Sequence, residues 1–173
     1  MQVAFKIGFM KKLVAIVIFG LLGFGSPAFA AAQKDARILE NEYFSITLPA
    51  GWKMPAPPKK QPLGGISAAF VKEGSDIAVT LNFLQGADIS AKIFADKMVE
   101  DMKKSGMRAS KPVLENGLYK FEIDGRARGT AWIGSDAGVC AATLVFGNNQ
   151  AEANSLLKAV KPVNRKLLPA AIR

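Results

Sequence analysis

The chain predicts an α+β fold: a single antiparallel sheet of about six or seven strands sandwiched by two main helices, in the order ββ(β)-α-ββββ-α. Short apolar runs recur between polar turns, at 43–48, 66–71, 77–84, 119–123 and 139–146. Two stretches, 88–105 and 149–160, switch to three-and-four helical spacing. Short polar connections make the strands pair antiparallel, and each helix must bury its apolar stripe against the sheet.

Residues 1–30 stand apart from this pattern. Lys11 and Lys12 precede an uncharged apolar run from Leu13 to Phe24, which Gly25, Ser26 and Pro27 end. Ala28-Phe29-Ala30 places small residues where a signal peptidase reads them, so cleavage after Ala30 is expected. The run is shorter than the roughly 20 residues that cross a bilayer. Met10-Lys11-Lys12-Leu13 is by itself a complete signal start, which makes Met10 an alternative to Met1 as first residue. The one cysteine, Cys140, lies far from the lipoprotein position, and no twin-arginine pair precedes the run. The expectation is Sec-type export to the periplasm or beyond, with no transmembrane span in the mature form. Loss of Lys6, Lys11 and Lys12 leaves 20 basic against 14 acidic residues, a net charge of +6.

Residues 31–36 read as a loose lead-in, 37–163 as one domain and 164–173 as a basic tail. Phe44, Ile46 and Leu48 alternate with Tyr43, Ser45 and Thr47 in a half-buried strand. Pro55, Pro57, Pro58 and Pro62 stiffen the loop that follows Trp52. Glu73-Gly74-Ser75-Asp76 is a hairpin loop between two apolar strands. Asp88 is the expected N-cap and Gly106 the stop of a helix with Ala91, Phe94, Ala95, Met98, Val99 and Met102 on its buried stripe. Pro112 breaks a weak strand over 108–114 and assigns it to a sheet edge. Asn116-Gly117 is a hairpin turn.

After Asp124-Gly125 the hydrophobic pattern favours a register that sets Ile123, Phe121 and Tyr119 opposite Ala127, Gly129 and Ala131, with Glu122 beside Arg128. The stretch 139–146 is apolar on both faces, hence central. Asn149 and Glu152 form a capping-box pattern for a last helix with Ala153, Leu156, Leu157 and Val160 buried, closed by Pro162.

The string Tyr43-Phe44-Ser45-Ile46-Thr47-Leu48-Pro49-Ala50-Gly51-Trp52, the Asn116-Gly117 turn and the later Trp132-bearing strand resemble the PsbP-like superfamily. That superfamily includes the extrinsic oxygen-evolution protein of photosystem II, Ran-binding Mog proteins and bacterial DcrB-like envelope proteins. The resemblance implies an α+β sandwich over the mature chain. It supplies no catalytic set, and fold alone does not give activity.

Chemistry is narrowed by composition. The chain has no histidine, which excludes His-based nucleophile pairs, His-ligated metals and histidine switches within it. Cys140 has no intrachain partner and reads as a small buried hydrophobe. Ser155-Leu156-Leu157-Lys158 matches the serine–lysine motif of penicillin-recognising enzymes without its companion motifs. Glu40 with Glu42, Asp96 with Glu100, and Glu122 with Asp124 are paired carboxylates of the kind a hydrolase needs, set among cations.

No catalytic residue, metal ligand or cofactor is expected. The candidate binding surface is Trp52 with Lys53, Lys59 and Lys60. A second basic patch, Lys158, Lys161, Arg165 and Lys166, suits weak contact with anionic lipid or polymer. The expected function is that of an exported, non-enzymatic accessory protein of the cell envelope that binds another protein and no nucleic acid. A small carboxylate-pair hydrolase and a cationic binder of envelope polymers or lipid are the alternatives.

Overall fold

The computed structural model describes residues 38–61, 64–86, 90–125 and 127–170. The expected signal peptide with its expected cleavage at Ala30, the expected lead-in, Pro62 and the N-cap expected at Asp88 lie outside them. Six strands precede the first helix: β1 (Ile38–Glu40), β2 (Phe44–Thr47), β3 (Trp52–Lys53), β4 (Lys59–Lys60), β5 (Gly65–Lys72) and β6 (Ala78–Gln85). The helix α1 (Ala91–Lys104) is followed by β7 (Arg108–Ala109), β8 (Val113–Glu115), β9 (Leu118–Asp124), β10 (Gly129–Asp136) and β11 (Val139–Phe146). A 3-10 turn (Gln150–Ala153), α2 (Asn154–Ala159), β12 (Val160–Pro162) and a second 3-10 turn (Arg165–Leu167) complete the described chain.

The fold is α+β with a large antiparallel sheet and two helices, but the single sheet of six or seven strands is corrected to two. Nine of the strands form one sheet, ordered β3-β5-β6-β11-β10-β9-β7, with β4 also on β5 and β8 also on β9. The other three form a small sheet, β1-β2-β12. The central position expected for β11 holds, and its side chains are buried on both faces.

Each face of the large sheet has its own core. On one, α1 lays Phe94, Ala95, Met98 and Met102 over Phe121, Ile123, Ile133, Ala142 and Leu144. On the other, a second long helix is not what covers the sheet. The small sheet brings Phe44 and Ile46, and six-residue α2 brings Leu156 and Leu157, onto Phe70, Val79, Leu81, Phe83 and Val145. Tyr43 and Phe44 stack on Phe83 with ring centroids 5.0 and 5.5 Å away. The C-terminal stripe is buried as expected, yet Val160 is extended (ψ 124°) and pairs with Ile46. Pro162 disfavours helix at Lys161 before it, and the helix ends at Ala159, one residue before its expected end, with the chain a strand from Val160.

Local signals account for most element ends. Ser90, not Asp88, caps α1, its Oγ accepting from Ile93 N–H at 3.3 Å. At the other end Met107 N–H reaches Met102 O and Gly106 N–H reaches Lys103 O, both at 3.0 Å, the paired bonds of a Schellman stop. Asn116 (φ 51°) and Gly117 (φ 83°) make a two-residue hairpin turn whose twist matches its strands. The capping box at Asn149 does not form. Its side-chain amide donates to Glu152 Oε1 at 2.9 Å, while Lys72 Nζ holds the other oxygen at 2.8 Å, so Glu152 does not reach back to the backbone.

Two further corrections concern β10. Ile123, Phe121 and Tyr119 face Gly129, Ala131 and Ile133, two residues beyond the expected register, and Glu122 faces Thr130. The buried face is as expected; four residues connect Asp124 to Gly129, and Gly129 also faces Phe146 on β11, whose ring lies where a Gly129 side chain would stand (Cβ to Cδ1 2.7 Å). The stretch from 164 read as a tail packs on the core, where Leu167 and Leu168 are buried. A Cβ on Gly134 would sit 3.1 Å from Leu167 Cα, so only glycine lets this turn lie flat on β10. Asn164 caps it from Lys166 N–H at 3.1 Å and donates to Asp136 at 2.8 Å.

Candidate functional site

The surface built around Trp52 comes apart in the structure. Strand alternation turns Trp52 inward, 6% exposed, and Lys53 outward. The indole N–H donates to Ser155 Oγ at 2.9 Å, and Ser155 donates to Glu152 O at 3.0 Å. Trp52 is therefore a core residue, corrected from the binding surface. The serine of the serine–lysine motif spends its hydroxyl proton on a carbonyl. Lys53 pairs with Glu73 at 3.2 Å, both well exposed. Lys59 and Lys60 are exposed on the edge strand β4.

The second patch keeps its exposure. Lys158, Lys161, Arg165 and Lys166 all face solvent, and Lys166 Nζ lies 3.8 Å from Asp136. The carboxylate pairs are spread over the surface, and two of the three are matched to cations. Asp96 takes Lys92 at 2.7 Å, and Glu100 takes Lys97 at 3.1 Å and Lys104. Asp124 takes Arg108 at 2.6 Å. Glu122 accepts from Thr130 Oγ1 at 2.7 Å with Lys120 3.7 Å away. Glu40 and Glu42 are exposed.

The hydrogen bonds from Lys104 and Lys97 hold the Glu100 carboxyl below its ordinary range. Such a shift opposes the raised value a general acid needs. Burial pushes the Cys140 thiol up to about 12, the opposite of an activated nucleophile. Among the described residues no three His, Cys, Asp or Glu side chains gather as a metal site.

Two features escape the sequence reading. One is a polar row within the apolar-looking strands β5 and β6. Ser67 Oγ donates to Asn82 Oδ1 at 2.5 Å, and the Asn82 amide reaches Thr80 Oγ1 at 3.4 Å and Ala142 O at 3.5 Å. These groups satisfy one another.

The other is β8, where Val113 is 62% and Leu114 60% exposed. Between Ala109 and Val113 the edge has three residues against two on β9, a bulge at Ser110–Pro112 where proline supplies no N–H. Glu115 faces Leu118 across the tight turn, so by antiparallel alternation the N–H and C=O of Leu114 point away from β9. The sequence signal was two adjacent apolar residues between Pro112 and Asn116; they point to opposite faces of an edge that no second layer reaches.

No protein-family model matches the chain, and no curated protein matches it. Among the described residues, no helix is long and apolar enough to cross a membrane.

Proposed function

We propose that the mature chain is an exported, non-enzymatic accessory protein of the bacterial cell envelope, periplasmic or secreted, which binds another protein through the β8 edge. The observation that carries this reading is the pair Val113 and Leu114. They stand outside both cores on a strand whose outer backbone groups are free to extend the sheet onto a partner strand. The resemblance to PsbP-like proteins supports it, because that superfamily includes extrinsic and envelope proteins. The hydrolase reading asks for two inward carboxylates, and the pairs available to it face solvent, Asp96 with Glu100 and Glu122 with Asp124 having cations beside them and Glu40 with Glu42 simply exposed.

A photocrosslinking residue at Leu114 tests the reading in intact cells. The expected result is a discrete adduct, competed by excess unlabelled protein and not by its Leu114→Glu variant; the same residue at exposed Thr47 should give none. Adducts that are equal at both positions, or absent from both, would overturn the edge as the binding site. Amino-terminal sequencing of the exported protein should read from Ala31. A chain that still begins at Met1 or Met10 refutes cleaved export.

A further inference from the structure

The most exposed large hydrophobic side chain among the described residues is Val163, 74% exposed, just after β12. It stands within a run of cations. Residues 153–173 hold Lys158, Lys161, Arg165, Lys166 and Arg173 and no acidic residue. The cations of α1 at Lys92, Lys97 and Lys104 are matched to carboxylates. By contrast, Lys158, Lys161 and Arg165 have no ion-pair partner among the described residues.

Val160 points inward, so Lys161 and Val163 share the outer side of the extended β12 segment. Ile38, 69% exposed, lies opposite Thr47 on that outer face of the small sheet. Acidic groups near this face are Asp136, held by Asn164 and Lys166, Glu40, on the far strand opposite Ser45, and exposed Glu42, next to Tyr43, whose carbonyl accepts from Val163 N–H.

We infer that this face docks on an anionic phospholipid bilayer, with Lys158, Lys161, Arg165 and Lys166 among the headgroups and Val163 inserted between them. Four cations, of which Lys158, Lys161 and Arg165 have no ion-pair partner among the described residues, around one protruding aliphatic side chain match a negatively charged surface with an apolar layer beneath it. A protein partner would instead need a desolvated, well-packed centre, which one valine does not provide. The inference does not rest on the β8 reading, since its residues, on α2, β12 and the last 3-10 turn, include none of β8.

Sedimentation of the purified mature protein with vesicles tests it, using three parts phosphatidylcholine to one part phosphatidylglycerol against phosphatidylcholine alone. Binding to the anionic vesicles is expected to fall at least ten-fold between about 20 mM and about 300 mM salt, with none to neutral vesicles. Lys161→Glu with Arg165→Glu should weaken binding by at least about 25-fold, from roughly five-fold per cation. Lys59→Glu with Lys60→Glu makes the same net charge change at another edge and should leave binding within about three-fold. Val163→Ser should weaken vesicle binding and leave retention on soluble polyphosphate unchanged. No sedimentation at low salt, or equal losses for the two double variants, would overturn the inference. An inert Val163→Ser would also overturn it and assign the patch to a soluble polyanion.

Discussion

The indole N–H of Trp52 and the hydroxyl of Ser155 meet at 2.9 Å across 103 positions of sequence, joining an edge strand of the large sheet to the helix that covers it. Lys72 and Glu152, 2.8 Å apart, tie the neighbouring strand β5 to the same turn. Ser155→Ala leaves a buried indole N–H without an acceptor, which costs about 1–3 kcal/mol. The urea midpoint should fall accordingly with the slope unchanged. An unaltered midpoint would mean that water takes the place of the serine.

Cys140 gives a pH-dependent prediction. Its thiol is buried, and burial raises it from 9.0 to about 12. Native protein at pH 8 should react with a thiol reagent at least about 100-fold more slowly than protein in urea. A folded value above the unfolded one means stability is full below pH 9 and is lost as pH rises toward 12. The slope from this group is about 1.4 kcal/mol per pH unit in that window. Cys140→Ala should remove that part of the alkaline loss in urea titrations run between pH 8 and 11. An identical pH profile in the two proteins would contradict the burial argument.

Gly134 holds the last 3-10 turn on the sheet, since its added Cβ would stand 2.8 Å from Leu118 and 3.0 Å from Lys166 O. Gly134→Val should cost about 1–3 kcal/mol and lift Arg165–Leu167 from β10. Brief trypsin treatment of the folded variant should cut after Arg165 or Lys166, sites that stay intact in the parent. Equal resistance in both proteins would show that the turn does not depend on this approach.

What was legible in the sequence is what short-range chemistry decides. Asn116-Gly117 reads as a tight turn because the two positive φ values are a local demand. The α1 stripe reads because six apolar residues at helical spacing need no knowledge of what they pack against. The misses were set by distant partners. β10 is paired on both sides, Gly129 facing Ile123 on β9 and Phe146 on β11, and Val160 leaves the helical stripe because Ile46 accepts it as a strand neighbour. Trp52 reads with the lysines beside it because a two-residue strand is too short to display alternation, so nothing local marks its inward face. Pro112 did mark an edge; that Val113 and Leu114 stay uncovered there depends on how far α1 and the small sheet extend.

Lys97 and Asp101 supply a test of how α1 is held. Their side chains are only 13% and 16% exposed and meet at 2.8 Å, while Asp101 Oδ2 is buried without a partner. The hydrogen bond that Lys97 donates to Asp101 raises the Lys97 amine above its ordinary value, so the charged pair persists well past neutral pH. Lys97→Met strands a half-buried carboxylate with an already unsatisfied oxygen. The expected cost is about 1–3 kcal/mol, more than that of an exposed pair such as Lys92 with Asp96. Adding Asp101→Leu should return most of the loss, because the penalty lies in leaving one charge behind and not in the pair's net attraction. If the double variant is as unstable as the sum of the singles, the pair does not act as a unit and α1 is held by its apolar stripe alone.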